Sequence, residues 1–400
     1  MSASDMITFG AVGDIAFRGE TDKQVSLHGA GWPFEKMLPH LHRADLLFGN
    51  MESVAIPPDF PENQIDPAGL ISRLPAEEIA AAIRRAEFDF MNLAANHVLD
   101  AGRLGMDYTK KTLEDAGLVT GGVGYSQAEA RALKVIERGG IAFGFLCYGE
   151  DSNYTLGHTS PSYAYYEREA VVEDVRKHKG EVDVLVVSIH ADLEFMPTPS
   201  VPRMRNSRAI AEAGAKIILQ HHPHVPQGIE FMHGCLIAYS LGNFVFQAHT
   251  SEYMKNNGPH TAHSFLLLAE VGKDGVRSFE RVPFEIPPPP EERPTPLDGD
   301  ARKEMLRYLD ELDTMLKDEE IVRRTWRDIA KRRLAGMLKK CAGMEINDVI
   351  EEMVGRLALT AENRSWMEEV LAMGREAWAR QQAESDPYHR PHYRFTKPKE

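Results

Sequence analysis

Short apolar runs alternate with stretches of helical spacing over the first two thirds of the chain. Residues 6–12, 45–48, 88–93, 141–147, 182–189 and 215–219 are brief, rich in Val, Ile, Leu and Phe, and bounded by Gly, Asp or Asn. That is the pattern of buried strands. Between them, residues 75–86, 104–116 and 204–213 carry apolar positions at helical spacing. Pro75 suits a first helical turn, and Gly117 and Gly214 stand just past the helix ends. Residues 230–231 and 236–239 flank His233-Gly234 and predict a hairpin; residues 264–271 and 276–284, turning at Lys273-Asp274-Gly275, predict another. Strand–helix alternation with added hairpins predicts an α/β sandwich over residues 1–286.

The pattern stops at Pro287-Pro288-Pro289-Pro290. With Pro294 and Pro296, this predicts a semi-rigid extended linker over 287–299. Residues 300–385 are dense in Glu, Lys, Arg, Leu and Met and predict a C-terminal α-helical extension of three or four amphipathic helices. Trp326, Trp366 and Trp378 are expected in its core; a lid over a site or a homo-oligomer face are the alternatives. Residues 386–400 are expected to form an irregular tail.

Charge and cysteine content narrow the function classes. The 400-residue chain has a formal net charge of −14. An acidic surface argues against non-specific nucleic-acid binding, which depends on basic residues releasing counterions, and against docking on anionic lipid. Cys147, Cys235 and Cys341 are widely spaced, with no CxxC pair, so a disulfide framework and a thiolate zinc site are both disfavoured. The first apolar run is short and has no basic segment before it, and no apolar run approaches ~18 residues. The expectation is a soluble, cytoplasmic protein with no membrane partner.

Polar clusters stand where predicted strands end, the usual place for ligands in open α/β sheets. Asp14 ends the first strand, Asn50 and Glu52 the second; Asn96, His97 and Asp100 follow the third; His190 ends another, and His222 and His224 follow a further one. Singly, each has an ordinary reading: Asp14 as a turn, Asn96 as a helix cap, His190 as a core histidine, Glu52 as a solvated acid. His222-Pro223-His224 is stronger, because extended chain stiffened by proline would project both rings the same way. Together, carboxylate, carboxamide and imidazole without thiolate suit Mn, Fe or Zn. Six donors are about right for two divalent metal ions that share a bridging carboxylate and water.

The blocks Gly13-Asp14-Ile15, Asn50-Met51-Glu52-Ser53, residues 92–102 (NLAANHVLDAG), residues 221–230 (HHPHVPQGIE) and residues 239–246 (YSLGNFVF) resemble, in order and spacing, the signatures of the CapA family. These are poly-γ-glutamate capsule synthesis proteins within the calcineurin-like metallophosphoesterase superfamily. The resemblance runs from about residue 7 to 285. It implies a four-layer metallophosphoesterase-like α/β sandwich with a two-metal site. It also implies metal binding by Asp14, Glu52, Asn96, His190, His222 and His224, with Glu52, or alternatively Asn50, as the bridge. His97 would protonate the leaving group and Asp100 would orient it. A histidine common two residues after the first aspartate is Ala16 here, His190-Ala191-Asp192 stands in place of His-Trp-Gly with Glu194 retained, and Gln220 replaces a frequent glycine. Asp192 is thus a candidate extra ligand or substrate contact. Asn50, Arg18 and Asn243 are further substrate-binding candidates. Arg18 reads equally as a solvated loop residue, Asn243 as a turn cap, and His221 is expected to point away from the ligands.

The leading expectation is a metal-dependent hydrolase in which a metal-bridging hydroxide attacks a phosphoester and His97 acts as general acid. An enzyme acting on γ-glutamyl amide bonds is the first alternative, since Lewis-acid polarisation serves phosphorus and carbon alike. A non-catalytic subunit of capsule or polymer biosynthesis is the second. The expected partner is a small anionic or γ-glutamyl substrate.

Overall fold

The computed structural model describes residues 6–150, 163–352 and 361–384. The readings made of residues 1–5 and of the 386–400 tail lie outside the described residues. Two sheets stack face to face. One runs, by pairing, Thr295–Pro296, Gly275–Glu285, His263–Gly272, Ile7–Ile15, Leu46–Met51, Phe90–Asn92 and Val119–Gly121, with Asn243–Val245 joining the end of Ile7–Ile15. The other runs Ile229–Met232, Cys235–Ala238, Ile217–His221, Val184–His190, Ile141–Gly149 and Lys134–Arg138. The central strands of each sheet are parallel.

Alternation within the strands divides the cores. Phe9, Ala11, Leu46, Phe48 and Phe90 face Phe143, Phe145, Val184, Val186, Ile217 and Leu219 between the sheets. The intervening residues Val12, Ile15 and Leu47 face helices Ala76–Ala86 and Gly102–Asp115 through Ile79, Ile83, Met106 and Leu113. On the far side, Leu185, Val187 and Ile218 face Arg168–His178 and Val201–Ala213. Strands buried on both faces read as unbroken apolar runs, which explains the sequence pattern. The result is the four-layer α/β sandwich followed by helices.

The Pro-rich segment is not a free spacer. Thr295–Pro296 pairs with Gly275–Glu285, and buried Arg293 donates to the Trp32 carbonyl and to Glu35 and Glu291. Helix Gly299–Met315 closes one end of the inter-sheet core with Met305, Leu309 and Leu312. Helix Glu319–Cys341 and helix Ala361–Glu384 bury Val322, Trp326 and Trp366 against the second sheet's helices. Trp378 is exposed at 63%, so the expectation of a core role fails for that residue alone of the three.

Candidate metal centre

The parallel strands of both sheets end on the same side, and their terminal residues meet there. Asp14 sits within the last two residues of Ile7–Ile15, beside Asn50 in the adjacent strand. Gly13 permits this junction: a Cβ there would lie 1.8 Å from the Gly242 carbonyl oxygen. Glu52 follows Leu46–Met51 and is fixed by its backbone N–H donating to the Ile15 carbonyl at 2.9 Å. His190 ends Val184–His190, and His221 ends Ile217–His221 directly opposite it.

Asp14, Glu52, Asn96, His190, His222 and His224 are all buried. Glu52 Oε1 stands 3.6 Å from His224 Nε2, 3.9 Å from His190 Nε2 and 3.9 Å from His97 Nε2. Asp14 Oδ2 stands 3.5 Å from His224 Nδ1. Asn96 Oδ1 lies 2.8 Å from His190 Nε2. Three donor trios, each with its atoms within 4.8 Å of one another, overlap here: Glu52 with His190 and His222, Asp14 with Glu52 and His224, and Glu194 with His222 and His224. Glu52 belongs to two of them.

Buried polar atoms without partners cost free energy, and this site collects them. Among the described residues, neither oxygen of Glu52 and neither ring nitrogen of His222 has a hydrogen-bond partner. Burial pushes the Asp14 carboxyl up to about 7, against the opposing pull of the His222 backbone N–H and the Asn50 side chain. Burial, reinforced by Asp14, holds the Glu52 carboxyl well above its usual range. The same burial holds His190 and His222 far below the ordinary imidazole range and brings His224 down to about 4. Neutral imidazoles around a Glu52 carboxyl that receives no hydrogen bond among the described residues are what a divalent cation would satisfy, so the donor set fits such ions.

His97 and Asp100 lie at the edge of the cluster. His97 Nδ1 is 2.6 Å from Asp100 Oδ2, which also accepts the Leu70 backbone N–H. A cavity of about 410 Å³ opens above them, lined in part by Arg18, His97, Glu194, His222, His224 and Tyr253. Arg18 reaches it while donating to the Pro67 carbonyl at 2.6 Å.

Four readings need correction. Asn50, expected at the substrate, has its amide taken up within the protein: the nitrogen donates to Asp14 at 2.8 Å and meets His190 Nδ1 at 3.3 Å, while its oxygen accepts from Asn92. It orients the Asp14 and His190 side chains. Asn243 is likewise committed, accepting from His224 Nδ1 and donating to the His224 and Thr261 carbonyls. Asp192 belongs to none of the three trios; its Oδ2 accepts the Ser200 N–H that starts helix Val201–Ala213, and Arg203 lies nearby. His222 and His224 are not extended. Both adopt positive φ, 94° and 56°, a conformation costly for side-chain-bearing residues and found where structure enforces it. His221 stacks on Phe48 with ring centroids 5.9 Å apart and lies 3.6 Å from Asp14, outside the trios. Sequence reasoning passed over Asn92, which sits in a signature block, and Tyr253, which nothing in the sequence marks.

The family model for bacterial capsule synthesis protein PGA_cap matches residues 8–248. The chain belongs to that family. It is 28% identical over 305 residues to the PGA biosynthesis protein CapA of Bacillus subtilis (strain 168), covering 76% of this chain and 77% of the relative. It is 27% identical over 292 residues to the capsule biosynthesis protein CapA of Bacillus anthracis, covering 71% and 68%. Among solved structures, the chain matches a 5'-nucleotidase precursor from Thermus thermophilus with TM-score 0.42 and 12% identity, covering 78% of this chain and 60% of that one. Among the described residues, no helix is long and apolar enough to cross a membrane.

Proposed function

We propose that this PGA_cap family member is a divalent-metal-dependent hydrolase acting on phosphoesters. The observation that carries the reading is Glu52, a fully buried carboxyl whose two oxygens accept no hydrogen bond among the described residues, ringed by His97, His190 and His224. Asp14, Glu52, Asn96, His190, His222 and His224 would hold two cations, with Glu52 shared. Bound there, such cations polarise a phosphoester and acidify water near neutral pH. Asn50 and Asn243 keep the ligands in register from below. Asp100 fixes the His97 ring through Nδ1, so that Nε2 is the atom that passes a proton to a leaving oxygen. Arg18 at the cavity wall gives an anionic group a cation to approach.

A second reading, hydrolysis or transfer at a γ-glutamyl amide, draws on the relatives named for PGA and capsule biosynthesis; the same donor set would polarise a carbonyl. The test is metal analysis of the purified full chain, with turnover of bis-p-nitrophenyl phosphate and of γ-glutamyl peptides assayed in parallel. The expected result is about two equivalents of Mn, Fe or Zn and phosphodiester turnover that disappears in His97→Ala. A metal-free chain whose behaviour is unaffected by His222→Ala refutes both readings and leaves a non-catalytic biosynthesis subunit.

A further inference from the structure

Glu194 comes from the turn four residues past His190, and its carboxylate lies buried at the side of the cavity. Its two oxygens face different neighbours. Oε2 accepts a hydrogen bond from the Tyr253 hydroxyl. Oε1 lies 3.6 Å from His224 Nε2, the same nitrogen that lies 3.6 Å from Glu52 Oε1. One imidazole nitrogen therefore stands between two carboxylates, an inner one and an outer one. His222, 1% exposed and with neither ring nitrogen hydrogen-bonded among the described residues, completes the outer trio.

Tyr253 is held in place for this contact. It sits on the short helix Glu252–Asn256, and its ring packs edge-on against Phe195 at 5.2 Å. Ser251 starts that helix by accepting the Met254 N–H. The chain leading into it is pinned by buried Glu292 of the Pro-rich segment, which accepts from the His249 and Thr250 backbone N–H groups and the Thr250 hydroxyl. When a phenol holds one oxygen of a carboxylate, the direction in which the other presents its lone pairs is set as well.

We infer that Glu194 is a cation ligand on the solvent side of the cluster, acting with His222 and His224, and that Tyr253 is a positioning residue that keeps Oε1 turned toward that cation. The inference rests on the metal-centre reading above and adds a carboxylate from the second sheet. It makes the outer cation position dependent on a cavity-wall tyrosine, while the inner position depends on Asp14 and Glu52.

The test is titration of metal-free full chain with MnCl2, counting bound Mn²⁺ by equilibrium dialysis and electron paramagnetic resonance. Wild type should bind two equivalents. Glu194→Gln, which preserves shape, should lose one equivalent and keep the other at wild-type affinity. Tyr253→Phe keeps the ring, and Tyr253 is 54% exposed, so the fold should survive, as thermal unfolding would verify. It should retain both equivalents, with the weaker one loosened about 10-fold or more, the usual consequence of losing a ligand's hydrogen-bond partner. Two equivalents at wild-type affinity in Glu194→Gln would overturn the assignment of Glu194 and leave the metal-centre reading standing. Unchanged binding in Tyr253→Phe would overturn the positioning role. A wild-type chain that takes up no Mn²⁺ would overturn both this inference and the metal-centre reading.

Discussion

Replacing Trp326 with alanine tests whether the C-terminal helices are part of the body that carries the site. Trp326 is 1% exposed, and its indole N–H donates to the Pro199 carbonyl at 2.9 Å, with the Thr198 carbonyl at 3.2 Å. It packs with Val201, Met204, Val322, Ala330 and Trp366 in the core outside the second sheet. A tryptophan buries about 150–250 Å², worth about 4–6 kcal/mol on area alone. That figure is an upper bound because unfolded chains already bury some of it; truncations of this type cost about 3–5 kcal/mol. With an unfolding entropy of about 2.1 cal/mol/K per residue, the melting temperature should fall by about 4–6 °C in differential scanning calorimetry. Trp326→Phe should cost less, about 1–2 kcal/mol, chiefly through the hydrogen bond lost to the 198–199 carbonyls. Thr198 and Pro199 precede Ser200, which caps helix Val201–Ala213 and bonds Asp192, so the damage should reach the turn that bears Glu194. Trp326→Ala should therefore weaken Mn²⁺ binding as well as lower stability. A variant that unfolds within ~1 °C of wild type, against the several degrees expected from this burial, would show that these helices do not support the α/β body.

Two further outcomes follow from the site. Asp100→Asn should lower kcat by about 10²–10⁴, the usual range for general acid catalysis, with KM and Mn²⁺ binding near wild type, because Asp100 touches His97 and the Leu70 N–H but belongs to no donor trio; steady-state kinetics with unchanged kcat would refute the role of His97. Mn²⁺ affinity should rise between about pH 6 and about pH 8 with net proton release. Burial brings Asp14 to about 7 and Glu52 well above its usual range, so in the metal-free chain these acids hold protons that a cation must expel, while the depressed imidazoles do not compete. Calorimetry in two buffers of different ionisation enthalpy measures the protons released; affinity independent of pH would refute the sign.

The sequence by itself determined the layers and which strand ends bring polar side chains together at one edge. Stretches such as residues 184–187 and 217–219 are apolar at every position because both faces of those strands are buried, and the polar residues that follow them gather at the sheet edge. Asp14, Glu52, Asn96, His190, His222 and His224 were legible for that reason, and the structure brings them together. What a polar side chain does with its hydrogen bonds was not legible, because partners arrive from distant segments. Asn50 answers to Asn92 and His190, Asn243 to Thr261, and Asp192 to Ser200. A local pattern cannot distinguish an amide left open to a cavity from one whose hydrogen bonds are taken up within the protein. The positive φ of His222 and His224 was hidden as well, since proline between two histidines argues locally for extended chain, and only the surrounding packing imposes the costlier conformation. The Pro-rich stretch looked like a spacer by composition. Tertiary structure made it a strap, because Glu292 and Arg293 are themselves buried against partners on the body that no linear pattern displays.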